Sequence, residues 1–216
     1  MPFELFGLSV LDAKKNSIAL KDSQGNILTY AGLADYCRSF GDVFRMNKHS
    51  LVLLLCDNTV ASATFFLGCL HSGVVPLMLN GKMDKGMLAR YIDLYNPSYI
   101  YTKSGIYETA RSPGFVPLYE QLSLLLPTSG STGSPKLVRH SYTNIAASAA
   151  NVAKAFRLDG NERVMLSLPI HFTQGLSVLC SHLHAGACVY LTDDALSSRS
   201  FWNAMKNEEI TFGISQ

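Results

Sequence analysis

Leu51-Val52-Leu53-Leu54-Leu55 is a run of apolar side chains with no polar residue at alternate positions. A strand with one face in water alternates apolar and polar residues, whereas a strand covered on both faces is apolar throughout. A segment with helical spacing, 58–71, follows the run, and Gly73 stands where a helix commonly ends. The run therefore indicates a strand buried between layers of helices in a parallel sheet.

Strand and helix patterns alternate on both sides of this run. We predict strands at 17–21, 26–29, 51–55, 74–79, 98–102, 163–168 and 187–192, and helices at 30–46, 58–71, 85–95, 141–156, 175–185 and 200–207. This alternation predicts an α/β fold with a mostly parallel, doubly wound sheet or sheets and flanking helices. Residues 103–127 interrupt the pattern, with Pro113, Gly114 and Pro117 among them, and we expect a joint between two lobes there.

A loop rich in glycine and hydroxyl side chains follows this interruption. Residues Thr128 to Lys136 read T-S-G-S-T-G-S-P-K. Gly130 and Gly133 allow backbone N–H groups to turn inward, the serine and threonine hydroxyls add donors, and Lys136 adds a positive charge. The loop is therefore suited to binding the phosphates of a nucleotide, and a flexible surface connection is the simpler alternative.

The spacing of this loop differs from that of the P-loop of NTPases. In a P-loop the lysine follows a glycine directly and a hydroxyl residue follows the lysine. Here Ser134 and Pro135 separate Gly133 from Lys136, and Leu137 comes next. A P-loop is therefore excluded.

Composition excludes several other classes of protein. The 216 residues are 48% hydrophobic with a formal net charge of +2, and no dense patch of lysine and arginine indicates nucleic-acid binding. The strongest apolar run, Leu51–Cys56, is too short to span a membrane. The five cysteines show no C-x-x-C spacing and the N-terminus does not resemble a signal peptide, so we expect reduced thiols and a cytoplasmic location. His182 and His184 form an H-x-H pair with no nearby carboxylate, and we predict no metal-binding residue.

The loop at Thr128–Lys136 closely resembles the phosphate-binding loop of the acyl-adenylate-forming (AMP-binding) superfamily, which contains acyl- and aryl-CoA ligases, luciferases and nonribosomal-peptide adenylation domains. Three further segments resemble that superfamily in order along the chain: Leu28–Leu33, with Gly32 in place of the usual acid, Phe65–Leu77 and Leu168–Ala187. The resemblance implies that residues 1–216 are the N-terminal portion of the large domain of an adenylate-forming enzyme.

The resemblance also implies an activity. Members of the superfamily activate a carboxylic acid with ATP to an acyl-adenylate and pass the acyl group to a thiol of CoA or of a carrier-protein phosphopantetheine. By the resemblance, Lys136 is the catalytic residue, and Mg²⁺ bridges the phosphate oxygens. The residues expected to bind ATP are Thr128, Ser129, Gly130, Ser131, Thr132, Gly133 and Lys136.

The predicted acid-binding residues are His171, Phe172 and Gly175. Many relatives carry an aromatic residue or histidine three positions after the proline that corresponds to Pro169, and Phe172 holds that place here. His171 lies one position earlier, so it either helps to form the acid pocket or is a structural histidine hydrogen-bonded under a turn. Gly175 is expected to let the backbone approach a ligand closely.

Complete members of the superfamily are longer than this chain, and we expect the rest of the large domain and the small C-terminal domain to lie outside residues 1–216. Residues 1–216 alone are therefore expected to be inactive or nearly so, and a second copy or a partner chain to cover the sheet after Thr211-Phe212. Two alternatives stay open: a non-catalytic nucleotide-binding or interaction module derived from a truncated ligase, and a different phosphoryl-transfer enzyme.

Overall fold

The structure is a computed structural model that describes residues 14–44, 46–109, 118–128 and 136–214. Within these ranges the strands form two sheets, and helices lie between the sheets and on both outer faces. No helix in the described part of the chain is both long and apolar enough to cross a membrane.

The first sheet has the strand order β11-β9-β10-β1-β2. Its strands are β1 (Ile18–Asp22), β2 (Ile27–Thr29), β9 (Arg163–Leu166), β10 (Cys188–Leu191) and β11 (Phe212–Ile214). All neighbouring strands are parallel except β1 and β2, which form the predicted hairpin. The first sheet therefore joins the beginning of the chain to its second half.

The second sheet has the strand order β6-β5-β3-β4-β7-β8. Its strands are β3 (Leu51–Cys56), β4 (Val75–Asn80), β5 (Tyr99–Thr102), β6 (Gly105–Glu108), β7 (Leu122–Pro127) and β8 (Leu137–Ser141). The four inner strands are parallel, and β6 and β8 are antiparallel edge strands. The predicted α/β fold with mostly parallel sheets is confirmed.

In the described ranges six helices connect the strands: α1 (Tyr30–Phe44), α2 (Val60–Ser72), α3 (Lys85–Tyr95), α4 (Tyr142–Phe156), α5 (Thr173–Ala185) and α6 (Arg199–Asn207). Thr59 caps the start of α2 by accepting a hydrogen bond from the Ser62 N–H, and Gly73 ends that helix with a φ of 75°. Such caps satisfy backbone groups that a helix end leaves without partners.

The apolar run that predicts β3 is buried on both faces, as its composition requires. Val52 and Leu54 pack into the core between the sheets, together with α1, α2, α4 and α5. Leu53 and Leu55 point to the other side, where α3 covers the second sheet. A smaller core between the first sheet and α6 contains Met165, Tyr190 and Phe201.

The range 103–127, predicted to be a joint, contains two strands of the second sheet. β6 turns back against β5, and β7 lies between β4 and β8 with its leucines buried. Neither β6 nor β8 follows from the sequence pattern, because half-exposed edge strands have weak periodicity. Residues 110–117 lie outside the described residues, and the joint stays a prediction.

Helices α1 and α2 cross so closely that only a glycine fits at position 68. A Cβ atom placed on Gly68 would lie 2.2 Å from a ring carbon of Phe40. Phe40 is fully buried and packs edge-on against Phe65 at 5.1 Å between ring centroids. The ring therefore has little room to move away.

Gly68→Ala is expected to destabilise the protein by about 1–3 kcal/mol, because the added methyl group overpacks a filled core. Gly41→Ala in α1 is the matched control, since a Cβ there would meet nothing closer than 3.9 Å. The control is expected to stabilise the protein by about 0.5–1 kcal/mol, as alanine usually does in a helix. Urea denaturation measures both changes, and equal stability of the two variants would contradict the packing argument.

Candidate functional site

Thr128 and Lys136 close the base of the loop that is predicted to bind phosphates. β7 and β8 are antiparallel neighbours with Pro127 opposite Leu137. The Thr128 N–H donates to the Lys136 carbonyl at 2.9 Å, and the Thr128 hydroxyl donates to the same oxygen at 3.3 Å. The loop is therefore a hairpin connection whose two ends are held together by the sheet.

Most of the predicted phosphate-binding residues belong to the interior of this loop. Ser129, Gly130, Ser131, Thr132 and Gly133 lie outside the described residues. Both flanking residues, Thr128 and Lys136, are exposed, so their side chains are accessible to a ligand. The roles assigned to these seven residues stay predictions.

The position of the loop in the fold favours ligand binding. β7 is parallel to β4, and β4 to β3, so the loop leaves the second sheet at the carboxyl ends of its parallel strands. Ligands of doubly wound α/β folds bind at that edge of the sheet.

The predicted acid-binding residues follow the carboxyl end of β9 in the first sheet. We call residues 166–172 the acid segment. Its last residues form a turn in which the Phe172 N–H donates to the Pro169 carbonyl at 3.0 Å. His171 is buried, Phe172 is 43% exposed, and their ring centroids lie 4.4 Å apart. The histidine thus lies inside the turn and the phenylalanine at its surface.

Burial also determines the charge of His171. It lowers the pKa of the imidazole, and the negative charge of Asp193 opposes this only in part. The ring is therefore neutral at neutral pH, and it offers a hydrogen bond to a ligand rather than a positive charge.

Gly175 is required by the packing of the acid segment. A Cβ at this position would lie 2.4 Å from the Pro169 carbonyl oxygen and 2.7 Å from that of Leu168. These are backbone atoms, which cannot rotate away as a side chain can. The close approach predicted for Gly175 is thus made to the protein's own turn, and an approach to a ligand stays a prediction.

Asn58 joins the acid segment to the second sheet, and sequence reasoning gave it no role. It lies two residues after the end of β3 and is 3% exposed. Its Nδ2 lies 3.1 Å from the Leu168 carbonyl and 3.0 Å from that of Thr192, and its Oδ1 accepts from the Ile170 N–H at 3.1 Å. The only sequence signal is a polar residue between a buried strand and an apolar helix.

Asp22 makes a second connection between the sheets. It ends β1 in the first sheet and is 1% exposed. Its Oδ2 accepts from the Val60 N–H at 2.9 Å, at the start of α2. A carboxylate is favourable there because a helix N-terminus carries partial positive charge. Together, Asp22 and Asn58 fasten the carboxyl ends of both sheets to each other.

A cavity of about 430 Å³ lies at the opposite edge, near the amino ends of β1, β9 and β10. It is lined in part by Lys21, Arg163 and Glu208. Lys21 is paired with Glu208 at 2.7 Å, so neither charge is available to a ligand without breaking that pair. The candidate site is therefore assigned to the carboxyl edge rather than to this cavity.

No group of three or more histidine, cysteine, aspartate or glutamate side chains in the described ranges is placed to hold a metal ion. A divalent cation at the carboxyl edge would thus need ligands other than such a cluster, and phosphate oxygens are suitable ones.

Comparison with known proteins agrees with the motif and the fold. Residues 116–215 match the family model described as AMP-binding enzyme. Over this stretch the chain is similar to the AMP-binding enzyme family. The matched region contains the phosphate loop, the acid segment and β11.

Two curated relatives are ligases. The chain is 24% identical to 2-succinylbenzoate–CoA ligase of Haemophilus influenzae over 185 residues, which are 83% of this chain and 41% of that enzyme. It is 35% identical to oxalate–CoA ligase of Arabidopsis thaliana over 92 residues, which are 43% of this chain and 18% of that enzyme. The chain thus spans less than half the length of either relative.

Solved structures show the same fold. The structure of O-succinylbenzoate coenzyme A synthetase from Bacillus subtilis in complex with AMP superposes with a TM-score of 0.79 at 19% identity. The superposition covers 99% of this chain and 61% of that one. The fold of this chain is therefore the fold of the matched part of that synthetase.

Acid is expected to destabilise this protein. Burial lowers the pKa of His140, His171 and His182, so each binds a proton more weakly in the folded state than in the unfolded state. Their contribution to stability is complete above the unfolded pKa of about 6.5 and is lost as the pH falls below it. The loss is at most about 1.4 kcal/mol per pH unit for each proton taken up.

Urea denaturation at pH 7.5 and pH 5.5 measures this loss. His171→Gln removes one of the three groups, so its stability is expected to decrease less between the two pH values than that of the parent chain. An equal decrease in both proteins would show that the burial of His171 does not contribute.

Proposed function

We propose that this chain forms the ATP- and acid-binding part of an AMP-forming acid–thiol ligase. The observation that carries the proposal is the position of two segments at one edge of the molecule. The loop T-S-G-S-T-G-S-P-K leaves the carboxyl end of β7, and the acid segment leaves the carboxyl end of β9, which Asn58 links to the end of β3.

The phosphate loop would bind the triphosphate of ATP. In the proposed reaction, a carboxylate oxygen attacks the α-phosphorus, the bond to the bridging oxygen breaks, and pyrophosphate leaves with the electron pair. Thr128 to Gly133 would surround the β- and γ-phosphates with N–H and O–H donors, and Lys136 would offset the charge that develops on them. Mg²⁺ held by the phosphate oxygens would neutralise further charge.

The acid segment would bind the carboxylic acid. Phe172 offers an exposed aromatic surface to the body of the substrate, and the neutral His171 behind it shapes the pocket without attracting the carboxylate by charge. Gly175 would keep the turn in place, since a side chain there would collide with the carbonyls of Leu168 and Pro169. The carboxylate is therefore free to approach the electrophilic phosphorus rather than being held in an ion pair.

The names of the relatives bear on the thiol acceptor, and the cysteines bear on the location of the protein in the cell. The two relatives described above are named CoA ligases, which supports CoA as the thiol, and a carrier-protein phosphopantetheine is chemically equivalent. All five cysteines are free thiols, which supports a cytoplasmic location.

Lys136→Ala is expected to reduce acid-dependent exchange of labelled pyrophosphate into ATP by roughly 10²-fold or more in the intact protein, because a charge that stabilises the leaving group is lost. Lys48→Ala is the matched control. Lys48 is exposed and precedes β3 at the amino edge, so its removal should leave exchange unchanged.

Equal exchange by the two variants would contradict the role of Lys136. Residues 1–216 alone are expected to show little exchange. ATP binding without any exchange in the intact protein would instead favour a non-catalytic nucleotide-binding module, and phosphate transfer without AMP formation would favour a different phosphoryl-transfer enzyme.

A further inference from the structure

We propose that Asn58 is a positioning residue that fixes the acid segment relative to the sheet that carries the phosphate loop. The inference rests on the function proposed above, because it concerns the distance between the two substrates of that reaction, the acid and ATP. Asn58 itself touches neither substrate in this proposal and acts through the backbone of residues 166–172.

The side chain of Asn58 uses both ends of its carboxamide. The Nδ2 group faces the carbonyls of Leu168 at 3.1 Å, Thr192 at 3.0 Å and Leu166 at 3.4 Å. The Oδ1 atom accepts from the Ile170 N–H at 3.1 Å. A carboxamide is the side-chain group that supplies two donor hydrogens and an acceptor within this space.

These contacts join the ends of three strands. Asn58 lies two residues after the end of β3, its partners between 166 and 170 lie at and after the end of β9, and Thr192 follows β10. The backbone N–H of Asn58 also donates to Asp193 Oδ1 at 3.3 Å. One buried residue between β3 and α2 therefore holds two strand ends of the first sheet.

The acid segment is held from the other side as well. Gly175 at the start of α5 lies against the carbonyls of Leu168 and Pro169 without space for a Cβ atom. The turn that carries His171 and Phe172 thus lies between α5 and Asn58. Removing the carboxamide of Asn58 therefore frees the turn on the side that faces the second sheet, while its contact with Gly175 stays.

Loss of the Asn58 contacts is expected to affect the binding of the acid but not the binding of ATP. ATP would be bound by the loop between β7 and β8 of the second sheet, whose strand β3 ends two residues before Asn58. The acid would be bound by the segment at the end of β9 in the first sheet, which Asn58 contacts. Loss of Asn58 should therefore shift the acid relative to the α-phosphate and leave the triphosphate site intact. Displacement of a reacting group by about 1 Å can reduce a rate on the order of 10²-fold.

The structural part of the proposal is tested by hydrogen–deuterium exchange of the amide groups in residues 166–172. In Asn58→Ala the Ile170 amide is expected to exchange roughly tenfold faster or more, because it loses its acceptor. Thr59→Ala is the matched control, since it removes the cap of α2 next to Asn58 but no contact to the acid segment. In the control, exchange of Ile170 should stay at the parent rate.

The functional part is tested by steady-state pyrophosphate release in the intact protein with its acid substrate, identified first from a panel of carboxylic acids. Asn58→Ala is expected to raise the KM for the acid about tenfold or to reduce kcat by a similar factor, with the KM for ATP unchanged. Thr59→Ala should change none of these constants. If Asn58→Ala does not fold, Asn58→Ser, which keeps one hydroxyl donor, takes its place with smaller effects of the same sign.

The outcomes separate the two proposals. A parent protein that releases no pyrophosphate with any acid overturns the proposed function, and the positioning role with it. An active parent whose Asn58 variants match Thr59→Ala in both measurements overturns the positioning role alone. An equal increase in the KM values for acid and ATP also overturns it, since that result would indicate general loosening of the fold.

Discussion

Two buried polar side chains, Asp22 and Asn58, connect the carboxyl ends of the two sheets. A buried polar group costs free energy unless its hydrogen bonds are made, so these residues are compatible with only one placement of one sheet on the other. The apolar core between the sheets has no such directionality, because dispersion and the hydrophobic effect would tolerate small shifts. The geometry of the carboxyl edge thus depends on a few hydrogen bonds, while the stability depends on the core.

The sequence predicts those parts of the fold that depend on residues close together along the chain. The unbroken apolar run of β3 gives a strand buried on both faces, and Gly73 marks the end of α2. β8 is harder to predict, because L-V-R-H-S has two exposed and three half-buried residues and its partner β7 is reached only through the phosphate loop. The contacts of Asn58 lie more than a hundred residues away along the chain, and no local pattern contains them.

The candidate site likewise has a part that the sequence predicts and a part that only the structure shows. Its chemistry follows from the motif at Thr128–Lys136, which a single sequence displays, whereas the placement of the acid segment follows from tertiary contacts. Gly175 illustrates the difference. The sequence suggests a glycine that admits a ligand, and the structure gives a glycine that admits the carbonyls of Leu168 and Pro169. Both interpretations use the missing Cβ atom, but only the structure shows which atoms come close.

The turn at 168–172 also bears on how such a pocket can change during evolution. Its shape is maintained by backbone groups, through Asn58, Gly175 and the bond between Phe172 N–H and the Pro169 carbonyl. The exposed ring of Phe172 contributes little to that scaffold, so other side chains could replace it without disturbing the turn. Under the proposed function, position 172 is therefore open to selection for new acids, while Asn58 and Gly175 are constrained whatever the substrate.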